Sequence, residues 1–530
     1  MNNYNLSEKI RKAVAESNSK NIIGVLQDLQ KVQKLKPKEF LSVHDAILFS
    51  IAYSPNKETK AICEKSLNQL LSEDKGDKNK MQDSGITGTK LVSIFSLELL
   101  FWLNNFFPEN VSFHSFNNEK QDVGEEMKIL LPNAESEVLT FGWGKNKLFQ
   151  KLCGGKITIE RLLNLFSGYP DKKISSMLFS KVGVYVEIDF AKAIVSKSTA
   201  RSISYNNFYH PEILRKIDLE KIISSKIPNR QKISQRDKNT LAENARMMLV
   251  SLGRETDPVT NCSIEETEFY VLDRGFAISL FYLSPEYRLA FDGYVGYMMY
   301  KNGLPISYGG AWILFDKALI GINIFDAHRG GESGYLFSQL LRVYKHRFNV
   351  NTFSVEPYQY GKNNPEGIQS GAYWFYYRFG FRSDDEKIKA IAEDERMHIL
   401  KEPNYKTPTE VLRKFTKSNI TLKLKNSNTI FSSQLSLKIT EFVAINYLGN
   451  RKMAIKEGEK KLKQIFGFPK NKHKVQEVWK SWCLAILVLA TLKNPNSAQK
   501  KIFHQLLEDK SFGKEVDYLF KLNKLSSVFF

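Results

Sequence analysis

The chain has few cysteines and few histidines for its length. Its 530 residues include four cysteines and eight histidines. The cysteines lie far apart and form no CxxC pair; they are Cys63, Cys153, Cys262 and Cys483. This spacing indicates neither a disulfide framework nor a zinc site, and it favours a reducing compartment. The histidines form no metal-ligand pattern, so the sequence predicts no metal.

Long uninterrupted apolar runs are missing as well. The run from Leu91 to Phe107 is broken by Glu98 and by two asparagines, and the run from Trp482 to Leu492 is too short to span a bilayer. Both runs are typical of buried core helices. The first residues, 1–5, show no basic and then apolar signal pattern. These features predict a cytoplasmic protein that does not enter a membrane.

The chain is too long for one ordinary domain, and two to four are expected. Its apolar content of 42% and aromatic content of 12% are ample for folded cores. The patterns predict an α+β or α/β multidomain protein with a central mixed β-sheet, packed helices, and helical domains at both ends. The expected divisions are a helical domain at 1–108, a mixed region of unclear fold at 109–265, a sheet domain at 266–400 and a basic helical domain at 401–530.

The net charge of +20 is concentrated near the C-terminus. Residues 401–530 hold 25 Lys and Arg against 10 Asp and Glu, a net charge of +15. A solvated helical face is the default interpretation of such a segment. An anionic partner such as nucleic acid is a minority hypothesis, because no interleaved aromatics and no nucleic-acid motif accompany the lysines.

Two local patterns predict structure around the centre of the chain. Asn302-Gly303 lies between two strand-like runs, which predicts a hairpin, because both central residues of a type I′ turn need positive φ. Residues Ser234 to Leu252 carry apolar side chains at spacings of three and four, which predicts a helix.

A glycine-rich turn, His328 to Gly334, is the most informative stretch. It lies between the strand-like run Ile322–Phe325 and a helix-like segment at 335–347, and a second strand-like run follows at 352–355. Gly330 and Gly331 lack Cβ atoms, so the backbone can approach a ligand closely. The free N–H groups and the dipole at a helix start favour an anion, and Arg329 adds a positive charge. We therefore expect a phosphate site at this turn.

The turn resembles the signature of the GCN5-related N-acetyltransferase superfamily, Gln/Arg-x-x-Gly-x-Gly/Ala between a strand and a helix. In that register, His328 takes the Gln/Arg place, Gly331 the first glycine and Ser333 the Gly/Ala place. A later helix in the family often reads Asn-x-x-Ala-x-x-apolar-Tyr-x-x-x-Gly-Phe. Matching residues occur here at that spacing: Gln369 in the asparagine place, Ala372, Phe375, Tyr376, Gly380 and Phe381. The resemblance covers about residues 266–385, and it implies that the sheet domain at 266–400 is an acyltransferase domain of this type, built on a mixed β-sheet similar to that of the family.

The resemblance implies that acetyl-CoA, or another acyl-CoA, is a co-substrate and that an amine is the acceptor. It implies that amides of the turn hold the pyrophosphate and that the main chain of the preceding strand binds the pantetheine arm. The cofactor-binding residues it suggests are Ile324, Phe325, His328, Arg329, Gly330, Gly331, Ser333, Gly334 and Gln369. The acceptor itself and the oligomeric state are not readable from the sequence.

Two side chains are candidates for the chemistry of acyl transfer. In many family members the tyrosine four residues before Gly-Phe protonates the departing thiolate, and Tyr376 holds that place; the alternative is that Tyr376 only packs in an aromatic core. Glu356 ends the second strand-like run, where a carboxylate could remove a proton from the amine. Its alternative role is a surface ion pair.

Three functions therefore compete at the level of the sequence. The leading hypothesis is an acetyl-CoA-dependent N-acyltransferase. The second is a non-catalytic module of the same fold that binds CoA or a partner, favoured by the departures at His328 and Ser333. The third is a basic scaffold for an anionic polymer.

Overall fold

The protein has an α+β architecture, seen in a computed structural model that describes residues 4–72, 75–191, 195–470, 473–489 and 494–530. Helices make up 54% of it, and they flank a mixed eight-stranded sheet. Within the described ranges no helix is long and apolar enough to cross a membrane.

Four helices form the N-terminal part. Asn18 caps the second helix by accepting a hydrogen bond from the amide of Asn21, and that helix buries Ile22, Leu26 and Leu29 on one face, as the spacing of its apolar residues predicts. The four helices are α1 (Tyr4–Ala15), α2 (Ser19–Lys31), α3 (Pro37–Ala52) and α4 (Lys57–Ser72).

A small antiparallel sheet with its own core of buried side chains follows. Its three strands lie in the order β1-β3-β2. Its elements are β1 (Lys90–Ile94), α5 (Leu97–Phe106), β2 (Val111–Phe116), α6 (Gly124–Met127), α7 (Lys145–Leu152), α8 (Ile159–Ser167), α9 (Lys172–Val182) and β3 (Val184–Asp189).

The apolar run that begins at Leu91 was expected to form one helix, and this is wrong for its first residues, which form a strand. Lys90–Ile94 forms strand β1, and a helix begins only after Ser96, whose hydroxyl accepts a hydrogen bond from the Leu99 amide. Strand β1 pairs with β3, which lies almost a hundred residues further along the chain. The elements β1 and α5 fall before the expected domain boundary at residue 108, yet they pack with β2 and β3, which fall after it.

Three helices connect this unit to the large sheet. They are α10 (Leu219–Ser224), α11 (Gln235–Val250) and α12 (Asp257–Thr260). The helix expected from Ser234 is confirmed as α11, and Ser234 and Asp237 form a capping box at its start.

The large sheet has eight strands in the order β10-β11-β9-β8-β7-β6-β5-β4. Neighbouring strands are antiparallel except for β8 and β9, which are parallel. The elements in chain order are β4 (Glu268–Val271), β5 (Phe276–Tyr282), β6 (Gly293–Lys301), β7 (Leu304–Leu314), β8 (Lys317–Ile324), α13 (Ser333–Phe348), β9 (Thr352–Val355), α14 (Pro365–Gln369), α15 (Ala372–Arg378), β10 (Arg382–Ser383), α16 (Glu386–Lys401), α17 (Thr409–Phe415) and β11 (Ile420–Lys423).

The hairpin between β6 and β7 is confirmed. Asn302 and Gly303 both have positive φ, at 49° and 88°. Helix α13 packs on one face of the sheet, where Leu336, Leu340 and Tyr344 share a core with strand residues. Helix α11 covers the opposite face of strands β4 to β7.

The region after residue 400, expected to be helical, also contributes a strand to the sheet. Strand β11 inserts between β9 and β10, with Ile420 opposite Val355 and Lys423 opposite Thr352. Its β-branched residues suit a strand, but the pairing depends on β9, which lies some seventy residues earlier.

The C-terminal helices share one core with the large sheet. Trp482 and Phe529 stack with ring centroids 5.2 Å apart, and the Phe529 ring lies 6.1 Å from that of Phe315. The helices are α18 (Ser432–Tyr447), α19 (Arg451–Phe466), α20 (Gln476–Val488), α21 (Ser497–Ser511), α22 (Glu515–Lys524) and α23 (Ser526–Phe529). The core helix expected from Trp482 is α20, and residues 490–492 of that run lie outside the described residues.

Candidate functional site

The parallel strands β8 and β9 separate towards their C-terminal ends. Their pairing stops at Leu319 and Ser354, and β9 ends at Val355. Strand β8 continues to Ile324 while it remains paired with β7 on its other side. Within the described ranges, residues 320–324 of β8 therefore present an edge without a strand partner, and such an edge can bind an extended chain.

A cleft of about 870 Å³ opens beside this edge. It lies between the end of β8, the glycine turn and the helices α14 and α15. Its walls include Tyr308, Ile322, Asn323, Ile324, Arg329, Gly330, Ser333, Tyr358, Gln359, Glu366, Ala372, Phe375, Tyr376 and Arg378. The cleft therefore has the size and the concave form typical of small-molecule sites.

The carbonyl groups of the glycine turn are held by arginines from outside the sheet. Arg11 donates to the carbonyl oxygens of Ala327 and Arg329, at 3.0 and 3.3 Å. Arg215 donates to those of Gly330 and Gly331, at 2.8 and 3.3 Å. With its carbonyls engaged in this way, the turn is fixed in one conformation at the start of α13.

The N–H groups that follow are free to bind an anion. In the part of the chain that the structure describes, the amides of Ser333, Gly334 and Tyr335 have no hydrogen-bond acceptor. The sixteen-residue helix α13 adds the positive end of its dipole at this point. Such an N-terminus is a ready binding site for a phosphate group.

The charged side chains around the cleft are mixed in sign. Three arginines line it, Arg254, Arg329 and Arg378, against the carboxylates Glu255 and Glu366. Arg329 is half exposed and forms ion pairs with Glu366 and with Asp326. To bind a phosphate that enters the cleft, the guanidinium of Arg329 must therefore give up an ion pair with one of these carboxylates.

Glu332, the residue before the start of α13, points away from the cleft. A carboxylate that faced a bound anion would be unfavourable, so this orientation is the expected one. Its buried carboxylate accepts hydrogen bonds from Arg274 Nε at 3.1 Å, from Lys301 Nζ at 3.0 Å and from the Leu214 amide at 2.9 Å. Burial raises the pKa of Glu332, but these neighbours outweigh burial and lower it overall. This network anchors the start of α13 from behind.

The structure places four of the residues expected at the cofactor in the wall of the cleft. They are Ile324, Arg329, Gly330 and Ser333. A Cβ atom built on Gly330 would meet open space, so the backbone is accessible there. The other five, Phe325, His328, Gly331, Gly334 and Gln369, are not among the lining residues.

His328 and Gly331 instead contact the N-terminal helices. His328 is buried beside α3, where burial lowers its pKa to about 3, and its Nδ1 has no hydrogen-bond partner within the described ranges. A Cβ on Gly331 would lie 2.5 Å from the hydroxyl oxygen of Tyr53. Glycine is thus needed at 331 for packing against Tyr53, rather than for the approach of a ligand.

The main chain of Phe325 is already occupied. Its amide donates to the carbonyl of Ile306 at 3.0 Å, and its carbonyl accepts from the amide of His328 at 2.8 Å. Gly334 lies inside the first turn of α13, near Phe379. Gln369 ends α14 and is exposed.

Tyr376 lies on the face of α15 that lines the cleft. Its ring packs against Phe337 and Phe381, with centroids 5.6 and 5.8 Å away, and 3% of the residue is exposed. Burial raises the pKa of the hydroxyl, so it stays protonated at neutral pH. Both roles expected for Tyr376 are therefore compatible with its position, because the same residue packs in the core and reaches the cleft wall.

Glu356 lies in the wall of a second cavity, of about 720 Å³, and not in that of the cleft. It is exposed, and within the described residues it forms no ion pair. The cleft reaches both sides of β8. Asn323 lines it from the side to which Leu319 projects into the second cavity, and Ile322 and Ile324 line it from the other side.

Sequence reasoning missed a cleft segment that comes from the loop after α11. Arg254, Glu255 and Thr256 line the cleft. Burial raises the pKa of Glu255 to about 7, although hydrogen bonds from the amide and hydroxyl of Ser96, both 3.0 Å long, oppose the rise. The only signal in the sequence is a run of charged residues after a helix, which does not distinguish a cleft wall from an ordinary loop.

Comparison of the chain with models of protein families, with curated proteins and with solved structures found no match. Among the described residues, no three His, Cys, Asp or Glu side chains are grouped as a metal site would require.

Proposed function

We propose that the protein is an acyl-CoA-dependent N-acyltransferase of the GCN5-related type. The observation that carries the proposal is that one cleft is lined both by the β8 edge, which has no strand partner among the described residues, and by Ser333, the first residue of α13, whose amide has no acceptor there. An extended amide chain ending in a pyrophosphate needs these two features side by side. The edge binds the chain as another strand would, and the helix start binds the phosphates.

The residues present suit such a co-substrate. Ser333 and Gly334 offer their amides, and Gly330 leaves space for close approach. Arg329 supplies a guanidinium for a phosphate oxygen, and Ile322 to Ile324 supply main-chain groups for the pantetheine arm. Acetyl-CoA would bring to this site a thioester that an amine can attack.

Tyr376 and Glu356 carry the proton transfers in this proposal. The hydroxyl of Tyr376 keeps its proton at neutral pH and can donate it to a departing thiolate. Glu356 stands at the end of β9, exposed and without an ion pair in the described part of the chain, and can accept a proton from the incoming amine directly or through water.

A non-catalytic CoA-binding module is the second candidate. The observation that favours it is the separation of Glu356 from the cleft, since the two expected catalytic side chains line different cavities. Binding without turnover is the result that this alternative predicts.

Isothermal titration with acetyl-CoA tests the cofactor half of the proposal. The wild-type chain should bind, and Arg329→Met should weaken binding about tenfold, because a hydrogen bond to a charged group contributes ~1.5–3 kcal/mol. Arg236→Met is the matched control, since Arg236 is exposed on α11 and is not among the lining residues of the cleft. Absence of binding by the folded wild-type chain would exclude both CoA-dependent functions.

A thiol-release assay with pooled amines tests the catalytic half. Release of free CoA that depends on an added amine supports an acyltransferase. The amines include short peptides with a free amino terminus. If acetyl-CoA binds but no free CoA is released with any of them, the result supports the binding module.

A further inference from the structure

The second cavity lies on the sheet next to the cleft and has charges of both signs on its walls. Its charged residues are Asp292, Lys317, Glu356, Asp384 and Lys423. Within the described residues, none of these five forms an ion pair with another charged group closer than 4 Å. Unpaired charges of both signs around a cavity suit a ligand that is itself charged at both ends.

Strand register separates these charges along the cavity. Lys317 and Lys423 both lie opposite Thr352, so the two ammonium groups belong to one row across β8, β9 and β11. Glu356 lies four residues further along β9, towards the cleft, which is ~13 Å at the rise of a strand. The lysine row is therefore the far end of the cavity, and Glu356 is at the end near the cleft.

The other two carboxylates of the cavity, Asp384 and Asp292, lie closer to the lysine row than Glu356 does. Asp384 comes directly after β10, and its amide donates to the carbonyl of Asn419, which precedes β11 at the end near Glu356. Its side chain, however, reaches back along β11: it hydrogen-bonds Thr421 and interacts with Lys317 and Lys423, and these neighbours oppose the burial that raises the pKa of Asp384.

Asp292 lies at the lysine end of the cavity. It is buried, and it accepts a hydrogen bond from the hydroxyl of Ser432 at 2.5 Å. The far end thus holds two ammonium groups and one buried carboxylate, the carboxylate of Asp384 lies between the ends, and the near end holds the exposed carboxylate of Glu356.

Apolar side chains complete the lining. Trp312 stands opposite Leu319 on neighbouring strands, between the lysine row and Glu356, whereas Leu314 is opposite Lys317 and the Phe431 ring lies 5.1 Å from the Lys317 ammonium group. Such walls favour a ligand with apolar side chains between its charged ends.

We propose that the second cavity binds a short peptide of two or three residues with apolar side chains. Its free amino terminus lies at Glu356, and its carboxylate lies at Lys317 and Lys423. An extended peptide spans ~3.3–3.6 Å per residue, so three residues match the length between the charged ends better than a single amino acid does. That this peptide is the acyl acceptor rests on the proposed function.

The orientation brings the peptide amine to the side of the cavity nearest the cleft. Between the two cavities the side-chain amide of Gln359 lies against Gly321, where a Cβ atom would be 3.1 Å from its nitrogen, so Gln359 must move aside for the peptide amine to reach the cleft. In the transfer, the ammonium first loses a proton to Glu356. The amine nitrogen then forms a bond to the acyl carbon, the carbon–sulfur bond breaks, the thiolate takes a proton from Tyr376, and the nitrogen gives its second proton to the Tyr376 phenolate as the amide forms.

Titration of the full chain with trileucine tests the site without acetyl-CoA. Trileucine should bind, and leucine alone, N-acetyl-trileucine and trileucine amide should each bind at least tenfold more weakly. Lys423→Met should abolish the preference for a free carboxylate and retain the preference for a free amine. Glu356→Gln should do the reverse, so each variant controls for folding of the other.

Lys425→Met is the matched control and should retain both preferences, because Lys425 is exposed two residues beyond Lys423 and does not line the cavity. Failure of trileucine to bind the wild-type chain, or equal binding of the blocked and free peptides, would overturn the proposal. Binding of acetyl-CoA without binding of trileucine would refute this inference and leave the acyltransferase standing. Binding of trileucine without binding of acetyl-CoA would support the peptide site and refute the acyltransferase.

Discussion

The carboxylate of Glu332 lies 3.0 Å from the ammonium group of Lys301, and both side chains are completely buried. Glu332 precedes the first residue of α13, and Lys301 is the last residue of β6. Arg274 joins the pair from the loop before β5. The pair therefore links the N-terminal end of α13 to the sheet hairpin.

Replacement of Lys301 by methionine should lower the free energy of unfolding by ~3–5 kcal/mol, because it leaves a buried carboxylate with one charged partner fewer. Urea denaturation measures the change. Lys460→Met is the control: Lys460 forms an exposed pair with Glu457, and its loss should cost less than ~0.5 kcal/mol. Equal effects of the two substitutions would contradict a buried, coupled network.

Replacement of Tyr376 by phenylalanine should reduce turnover ~100-fold or more, because a positioned general acid contributes that much to a rate. Affinity for acetyl-CoA and stability should change little, since the ring and its packing remain. Tyr373→Phe is the control on the same helix: its hydroxyl is buried and has no partner among the described residues, and it does not line the cleft. Full activity of Tyr376→Phe would exclude the proposed proton donor.

The two adjacent glycines of the turn should respond differently to alanine. Gly331→Ala should destabilise the fold by ~1–3 kcal/mol, because the new Cβ collides with Tyr53 and overpacks the contact. Gly330→Ala meets no protein atom, but its φ of 81° is unfavourable for alanine and should cost ~1–2 kcal/mol. Thermal unfolding measures the loss of stability of each variant, and titration with acetyl-CoA measures the affinity of the folded variant. Only Gly330→Ala should lower the affinity of the folded chain. If Gly330→Ala binds acetyl-CoA as tightly as the wild-type chain does, the phosphates do not bind at Gly330.

Glu255 should make stability depend on pH in a defined direction. Its pKa is about 7 in the folded chain against an ordinary value of 4.5, so the folded state holds the proton more tightly than the unfolded state does. The stabilisation from the protonated form is complete below pH 4.5 and is lost as the pH rises to 7.

Glu255→Gln removes this titration. Relative to wild type, the variant should gain ~2 kcal/mol of stability between pH 5 and pH 7.5, since one pKa unit corresponds to 1.36 kcal/mol. Denaturation curves of both proteins at several pH values test this, and parallel pH profiles would show that Glu255 titrates normally.

Sequence reasoning identified the elements that local interactions define. The hairpin at Asn302-Gly303, the capped helix α11 and the order β8, turn, α13 and β9 all follow from residues that are close together in the chain. Turn conformation, capping and apolar periodicity depend only on such neighbours, so they are readable without a fold. Four expected cofactor residues also line the cleft for this reason, because the strand, the turn and the helix start are consecutive.

Contacts between distant segments were not readable. Gly331 fitted the glycine place of a family signature, yet the contact that requires a glycine there comes from Tyr53, nearly three hundred residues earlier. His328 faces the N-terminal helices for the same reason. Strand β11 and the loop that carries Glu255 reach the sheet and the cleft from segments whose own patterns indicate only helix or loop.

The sequence by itself determined a strand, a glycine turn and the start of a helix, because backbone conformation at a turn and at a helix start is set by the residues there. Tertiary structure alone decided which faces of that turn are open. Arg11 and Arg215 bind its carbonyls, Tyr53 closes one side, and the end of the β8–β9 pairing leaves an edge free. The physical reason is that packing and strand pairing join residues hundreds of positions apart, which no local pattern records.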